Sequence, residues 1–239
     1  PRDLNAIGRE LKGVHFAMTY LTQQNRVNAG QKFSDLEHID AKGKHVVVLG
    51  GGDTGSDCVG TANRQGALSV KQYELLPEPP KERADDNPWP QWANTLRTST
   101  SHQEGVERDY CIMTNRFNGQ DGNLTSLQAV RVEFGEKDAQ TGRAPMKEIA
   151  GSGFDVKCDL VFLAMGFLGP VKNGLMEQLG LDVDARGNVQ TNDKYLTSKE
   201  GVFACGDVHS GQSLVVRAIN EGRQAAASVD KWLMAKKVV

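Results

Sequence analysis

The chain has 239 residues, 28 basic and 30 acidic, and a net charge of −2 at neutral pH. That near-balance gives no electrostatic reason to expect nucleic acid or an anionic membrane surface as a partner. With 38% hydrophobic residues and a mean hydropathy of −0.46, the composition suits one large or two small globular domains, and the longest apolar run, Leu160 to Val171, is broken by glycine and proline and too short to span a bilayer.

Residues 1–40 do not read as a self-contained opening. Pro1–Leu4 and Gly8–Val14 are loop-like, Val14 to Leu21 has helical spacing (Phe16, Ala17, Tyr20, Leu21), and Gln23 to Gln31 is polar. No strand and no glycine fingerprint is expected there. Lys44 to Leu49 is the first clear strand, and it runs directly into Gly50-Gly51-Gly52-Asp53-Thr54-Gly55. A strand, a glycine turn and a helix in that order are what hold a dinucleotide pyrophosphate. Gly50 makes the tight turn, Gly52 lets the backbone approach phosphate, and Gly55 lets the helix pack on the strand. The helix opening at Asp53–Thr54 aims free N–H groups and a positive dipole end at the anion. It is expected to run to about Arg64, with Cys58, Val59 and Ala62 on one face and Gly66 as its cap.

Ser69 to Glu74 reads as the next strand, completing a βαβ unit. An acidic residue at the end of such a strand accepts hydrogen bonds from the ribose hydroxyls, whereas a 2′-phosphate wants arginine. Glu74 stands there, about 20 residues past the turn, and no arginine follows until Arg83. NADH is therefore favoured over NADPH. Pro77 to Trp92 is a long loop rich in proline and charge, a candidate lid or partner contact, with Trp89 and Trp92 expected to pin it to the domain.

Tyr110–Phe117 and Leu124–Phe134 read as a hairpin around residues 118–123, followed by a turn from Gly135 to Arg143 and a short strand near Met146–Ile149. Asp159 to Ala164 is a buried strand ending at Met165-Gly166. An antiparallel meander is thus inserted before the last parallel strand of the dinucleotide domain. In the tail, Gly201 to Asp207 reads as an apolar strand ending in Gly206-Asp207, and Gly211-Gln212-Ser213-Leu214 opens a helix with Val215, Ala218, Ile219, Ala225 and Ala226 on its buried side. Asp207 sits where ligands bind in open α/β sheets, though a carboxylate there also suits a helix cap.

The four cysteines (58, 111, 158, 205) form no Cys-x-x-Cys, and the five histidines (15, 38, 45, 102, 209) show no ligand spacing, so no metal site is expected. The cysteines read as small buried hydrophobes in a reducing compartment. No signal peptide is visible. A cytoplasmic protein is expected.

Several motifs together resemble one family. They are Gly50 through Thr61, Glu74-Leu75-Leu76-Pro77-Glu78-Pro79-Pro80, Asn87-Pro88-Trp89-Pro90, Ala164-Met165-Gly166-Phe167, Val202 through Asp207, and Gln212 through Arg223. In this order they are similar to the small (β) subunit of glutamate synthase, over nearly the whole chain. The resemblance implies an α/β flavoprotein with two Rossmann-like dinucleotide domains, of the pyridine nucleotide-disulfide and adrenodoxin reductase kind. Residues 1–40 would be the outgoing tail of the FAD domain and a linker, 41–166 the NAD(P)H domain, and 167–239 the returning C-terminal part of the FAD domain. The chain would then be the C-terminal portion of such a subunit, inactive in isolation, with the iron–sulfur segment and the first half of the FAD site outside it.

The implied function is electron entry. NAD(P)H gives hydride to FAD, with nicotinamide C4 placed against flavin N5. Electrons pass through iron–sulfur clusters to a large (α) subunit that makes glutamate from glutamine and 2-oxoglutarate. Gly166 would leave room for the nicotinamide. Gly206 and Asp207 would hold the ribityl-phosphate region, and Gln212, Ser213 and Leu214 would direct a helix N-terminus at the flavin O2 edge. No catalytic acid–base pair is expected. Family members with an arginine pair after the second strand are read as NADPH users; Leu75-Leu76 stands here instead. Two alternatives stay open: the reductase portion of a relative of the ferredoxin–NADP reductase or dihydropyrimidine dehydrogenase type, and a nucleotide-binding module without catalysis of its own.

Overall fold

A computed structural model describes residues 1–34, 37–138 and 144–236. The elements in chain order are β1 (Val14–Phe16), α1 (Ala17–Asn28), β2 (His45–Leu49), α2 (Asp53–Gln65), β3 (Ser69–Tyr73), α3 (Thr100–Gln103), β4 (Glu107–Asp109), β5 (Ile112–Gln120), β6 (Asn123–Phe134), β7 (Met146–Glu148), β8 (Phe154–Lys157) and β9 (Leu160–Leu163), then α4 (Leu175–Leu179), α5 (Asp207–Ser210) and α6 (Val215–Lys236). The chain forms two compact units, Pro1–Gly166 and Phe167–Val239.

The first unit is built on a parallel sheet of order β1-β9-β2-β3-β4. Both faces of this sheet are covered, which is why β2 and β9 are continuous apolar runs. Strand alternation divides them. Val46 and Val48 point to one side with Cys58, Val59 and Ala62 of α2 and Ala17 and Tyr20 of α1. Val47 and Leu49 point to the other, where Phe117, Leu124, Leu127 and Ala129 of the meander close a second core. That meander is β5, β6 and β8, antiparallel, with β7 pairing farther along β6. A two-residue turn at Asp121-Gly122 joins β5 to β6, both with positive φ, so the arms run longer than the hairpin expected around 118–123.

Several expectations are corrected. Residues 1–40 do contain a strand: β1 pairs in parallel with β9, Val14 opposite Val161 and Phe16 opposite Leu163. Its three residues are followed at once by α1, so a helical period absorbs them and only a partner some 150 residues away reveals them. The polar stretch from Gln23 forms the C-terminal half of α1, as far as Asn28, and residues 14–28 belong to the same compact unit as the sheet. Trp89 and Trp92 are not buried against the domain: they are 82% and 57% exposed. The loop is held by its own polar groups. Arg83 donates to the Asn87 and Gln91 carbonyls, the Asn87 side chain bridges Trp92 O and Asn94 N, and the Arg97 guanidinium lies 4.0 Å over the Trp92 ring. Part of the expected turn from Gly135 to Arg143 lies outside the described residues.

In the second unit, Gly201 to Asp207 is not a strand. It pairs with residues 195–197 through one antiparallel bridge, Leu196 opposite Phe203, where Ala204 N–H donates to Tyr195 O and Thr197 N–H to Val202 O; a contact that short makes a bridge, not the ladder of a strand. Nor is the expected face of α6 buried as a whole: Ala225 is buried, while Val215, Ile219 and Ala226 are exposed. No helix among the described residues is long and apolar enough to cross a membrane.

Cys58 and Cys158 are buried, and burial pushes their thiols up, Cys158 to about 12. Cys111 and Cys205 are half-buried. A thiol reagent added to the native protein at pH 8 is expected to modify Cys111 and Cys205 within minutes and to spare Cys58 and Cys158 until denaturant is added. Peptide mapping by mass spectrometry reads this, and native labelling of Cys58 would contradict the packing of α2.

Candidate dinucleotide site

The order of the parallel sheet reverses between β2 and β9: β3 and β4 lie to one side of β2, and β9 with β1 to the other. Open α/β sheets bind ligands at that switch point, outside the carboxyl ends of the strands. A cleft of about 550 Å³ lies there. Its walls are Leu49 to Gly52 at the end of β2, Tyr73 to Leu76 at the end of β3, Ala164 to Gly166 after β9, and Ile112 to Thr114 at the start of β5.

The glycine turn forms one wall for steric reasons that differ by position. Gly50 has φ +117, and a Cβ there would lie 2.3 Å from the Ala164 carbonyl oxygen. A Cβ on Gly55 would lie 2.4 Å from Gly50 O, so only glycine lets the first turn of α2 seat against the end of β2. A Cβ on Gly52 meets nothing within 4 Å; that position is open. Gly52 is the N-cap of α2, and the N–H groups of the first helical turn have no partner within the helix. An open backbone surface with unpaired donors at the positive end of a 13-residue helix fits a phosphate.

Of the residues expected to bind nucleotide, Gly50, Gly51, Gly52, Thr54, Glu74 and Gly166 line this cleft. Gly55 is buried behind the turn, and Asp53 is exposed beside the cleft rather than in its wall. Glu74 leaves β3 and lies over Gly51, where a Cβ would fall 1.5 Å from its Oε1. Burial pushes its carboxyl above the usual carboxylate range, and the Arg108 guanidinium opposes that shift. Arg108 comes from β4, opposite Gln72 of β3, so pairing of separate strands brings a cation to Glu74 that the local sequence does not show. Gly166 has φ +80, nothing within 4 Å of its Cβ position, and a carbonyl that accepts from Arg2 N–H at 2.8 Å.

The remaining expected residues lie in the second unit. Gly206, buried with φ +70, donates its N–H to Glu221 Oε2 at 2.6 Å. That bond ties the end of the 201–206 segment to α6. Asp207 opens the short helix α5 and is exposed, as are Gln212 and Ser213, and Gln212 Nε2 donates to Phe167 O at 2.7 Å. Leu214 is half-buried, and its carbonyl accepts from Arg217 N–H at the start of α6.

Sequence reading missed a buried polar chain behind the turn: Gln72, His102, Ser99 and Ser56. One signal was available, since alternation puts Gln72 on the same face of β3 as the core residue Val70.

A glycine turn at the switch point of a parallel sheet defines a dinucleotide-binding fold, and the sequence profile of the pyridine nucleotide-disulphide oxidoreductases matches residues 1–222. The chain belongs to that family. Within it, the chain is 47% identical over 236 residues to the glutamate synthase [NADPH] small chain of Mycobacterium tuberculosis, covering 98% of this chain and 47% of that protein. It is also 47% identical over 246 residues to glutamate synthase [NADH] of Saccharomyces cerevisiae, covering 98% of this chain and 11% of that one. The chain thus spans about half the length of the bacterial relatives it matches. Among solved structures, FprA, a Mycobacterium tuberculosis oxidoreductase, has a TM-score of 0.69 at 15% identity, covering 99% of this chain and 62% of that chain. Thioredoxin reductase of T. acidophilum has a TM-score of 0.60 at 21% identity, covering 98% and 62%. At those identities the likeness is one of fold.

Proposed function

We propose that the cleft binds NAD(P)H and that the chain is the electron-entry portion of a glutamate synthase. The observation that carries this is the open Gly52 N-cap beside an acidic strand end, in a chain 47% identical to glutamate synthase chains. The pyrophosphate rests on Gly50–Gly55, the adenosine ribose reaches Glu74, and Gly166 leaves space for the nicotinamide. When bound, nicotinamide and flavin supply the hydride-transfer chemistry; the residues of this chain bind and orient. For FAD, the residues in place are Gly206, Asp207 and the Gln212–Leu214 segment, whose exposed polar groups at the start of α6 suit an anionic or carbonyl acceptor. They make up part of a flavin site. Electrons would leave through iron–sulfur clusters held outside this chain, to a large partner subunit that forms glutamate from glutamine and 2-oxoglutarate in the cytoplasm.

The relatives' names include both nucleotides at equal identity, so the choice rests on Glu74. A 2′-phosphate there would meet a carboxylate in a partly desolvated site. We therefore favour NADH. Titrating the chain with each nucleotide, followed by nicotinamide fluorescence, tests both claims. Glu74→Ala is expected to weaken NADH about tenfold, by removing a pair of hydrogen bonds to the ribose, and to leave NADPH unchanged or tighter. Equal loss with both nucleotides would refute the ribose role. Absorbance of the purified chain tests the flavin reading, since a part-site should retain far less than one FAD per chain.

A further inference from the structure

Behind the glycine turn, four side chains form a closed polar circuit. Gln72 Nε2 donates to Gly50 O at 2.9 Å. His102 Nε2 lies 3.0 Å from Gln72 Oε1. His102 Nδ1 lies 3.0 Å from Ser99 N and 3.1 Å from Ser99 Oγ. Ser99 Oγ in turn bonds Ser56 Oγ, in the first turn of α2. The circuit therefore begins at Gly50 and ends at Ser56, bracketing the five residues that would carry the pyrophosphate. Gln72 is 1%, Ser56 7% and His102 8% exposed.

The atoms leave one protonation pattern. The Ser99 backbone N–H can only donate, so His102 Nδ1 accepts. The ring proton is then on Nε2, which donates to Gln72 Oε1. Gly50 O can only accept, so the Gln72 amide must present its NH₂ to it. Burial lowers the affinity of His102 for a second proton, keeping the ring neutral.

Fixing Gly50 O has a consequence on the other side of the turn. The Gly50 carbonyl and the Gly51 N–H belong to one peptide unit, and that unit is trans. Its C=O and N–H are antiparallel, so an oxygen held by Gln72 turns the Gly51 N–H away from Gln72, and Gly51 lines the cleft. We infer that His102, acting through Gln72, is a positioning residue for nucleotide binding: it fixes the peptide that presents the Gly51 N–H to the pyrophosphate. This rests on the NAD(P)H reading above.

Two substitutions separate the ring's two nitrogens. His102→Gln can place an amide NH₂ where Nε2 stood, keeping the bond to Gln72 and losing the cap on Ser99. His102→Asn can place an amide oxygen where Nδ1 stood, keeping the cap and losing the bond to Gln72. NADH and NADPH affinities are measured at pH 7.5 on wild type and both variants, with melting curves alongside. His102→Gln is expected to bind within about twofold of wild type. His102→Asn is expected to bind about tenfold more weakly, the worth of one buried hydrogen bond. Wild-type affinity in His102→Asn, or equal loss in both variants, overturns the inference and leaves His102 as a cap alone. Nucleotide binding that is absent from wild type refutes the functional reading instead. Should either variant unfold, long-range proton–nitrogen spectra of wild-type His102 decide: an Nε2-protonated neutral ring at pH 7 supports the circuit, and an Nδ1-protonated or charged ring overturns it.

Discussion

Gly50→Ala is expected to cost both fold and ligand, whereas Gly52→Ala, two residues on, is expected to cost ligand alone. At Gly50 the backbone sits at φ +117, a conformation that costs a side-chain-bearing residue ~1–3 kcal/mol. The new methyl would also lie 2.3 Å from the Ala164 carbonyl oxygen, which is backbone of the segment leaving β9 and can move only by shifting a central strand. A total of roughly 3 kcal/mol or more corresponds to a fall of about 6–12 °C in melting temperature for a unit of this size. Nucleotide affinity should fall with it, since the turn cannot keep its shape. Gly52 has φ −75 and ψ −177, which alanine adopts freely, and nothing lies within 4 Å of its Cβ position. Alanine there should leave melting within ~2 °C of wild type and place a methyl where the phosphate approaches, weakening NADH by at least about tenfold. Calorimetric melting and nicotinamide fluorescence on the two variants read the contrast. Unchanged affinity in Gly52→Ala would remove the pyrophosphate from this turn.

Phe162→Ala should be the most damaging single change in the core. Phe162 is fully buried in β9, between His15 of β1 and Val48 of β2, and its ring stacks on Tyr20 of α1 at 4.0 Å and 10°. Truncating such a ring costs ~3–5 kcal/mol, from lost transfer energy and from a cavity that surrounding strands cannot close. The Tyr20 hydroxyl donates to Gln65 Oε1 at 2.8 Å, and that oxygen also accepts from Ala41 N–H. Tyr20 is thus held from its far end and cannot swing in to fill the void. Urea unfolding should show the midpoint displaced with the slope unchanged. A loss under ~1 kcal/mol would mean that Phe162 is not packed in the interior of the sheet between β1 and β2. Phe162→Leu, which refills most of the volume, should recover more than half of the loss.

The local motifs were legible because all their ingredients are neighbours in the chain. Lys44 to Leu49, the glycines that follow and the Cys58, Val59, Ala62 face of α2 announce a strand, a turn and a helix by period alone. The meander was legible for the same reason, through alternation in β6 and a turn at Asp121-Gly122. What failed depended on a distant partner. β1 is invisible without β9, and the apolar Val202–Cys205 segment is no strand because its neighbour, residues 195–197, pairs with it over a single bridge. Trp89 and Trp92 failed differently: a large aromatic ring favours burial, but only the fold decides whether a loop lies against anything.

The site divides along the same line. Sequence by itself determined the glycine turn and the acidic strand end, because a strand, glycines and a helix start within a dozen residues carry their geometry with them. Tertiary structure alone decided what stands behind and beside them: the meeting of β2 and β9 that opens the cleft, Arg108 beside Glu74, and the Gln72–His102–Ser99–Ser56 circuit. These join residues from β3, β4, α3 and α2 through single hydrogen bonds and charges. Such bonds leave no period in a sequence, and a lone buried glutamine or histidine acquires its role only when the chain brings its partner within 3 Å.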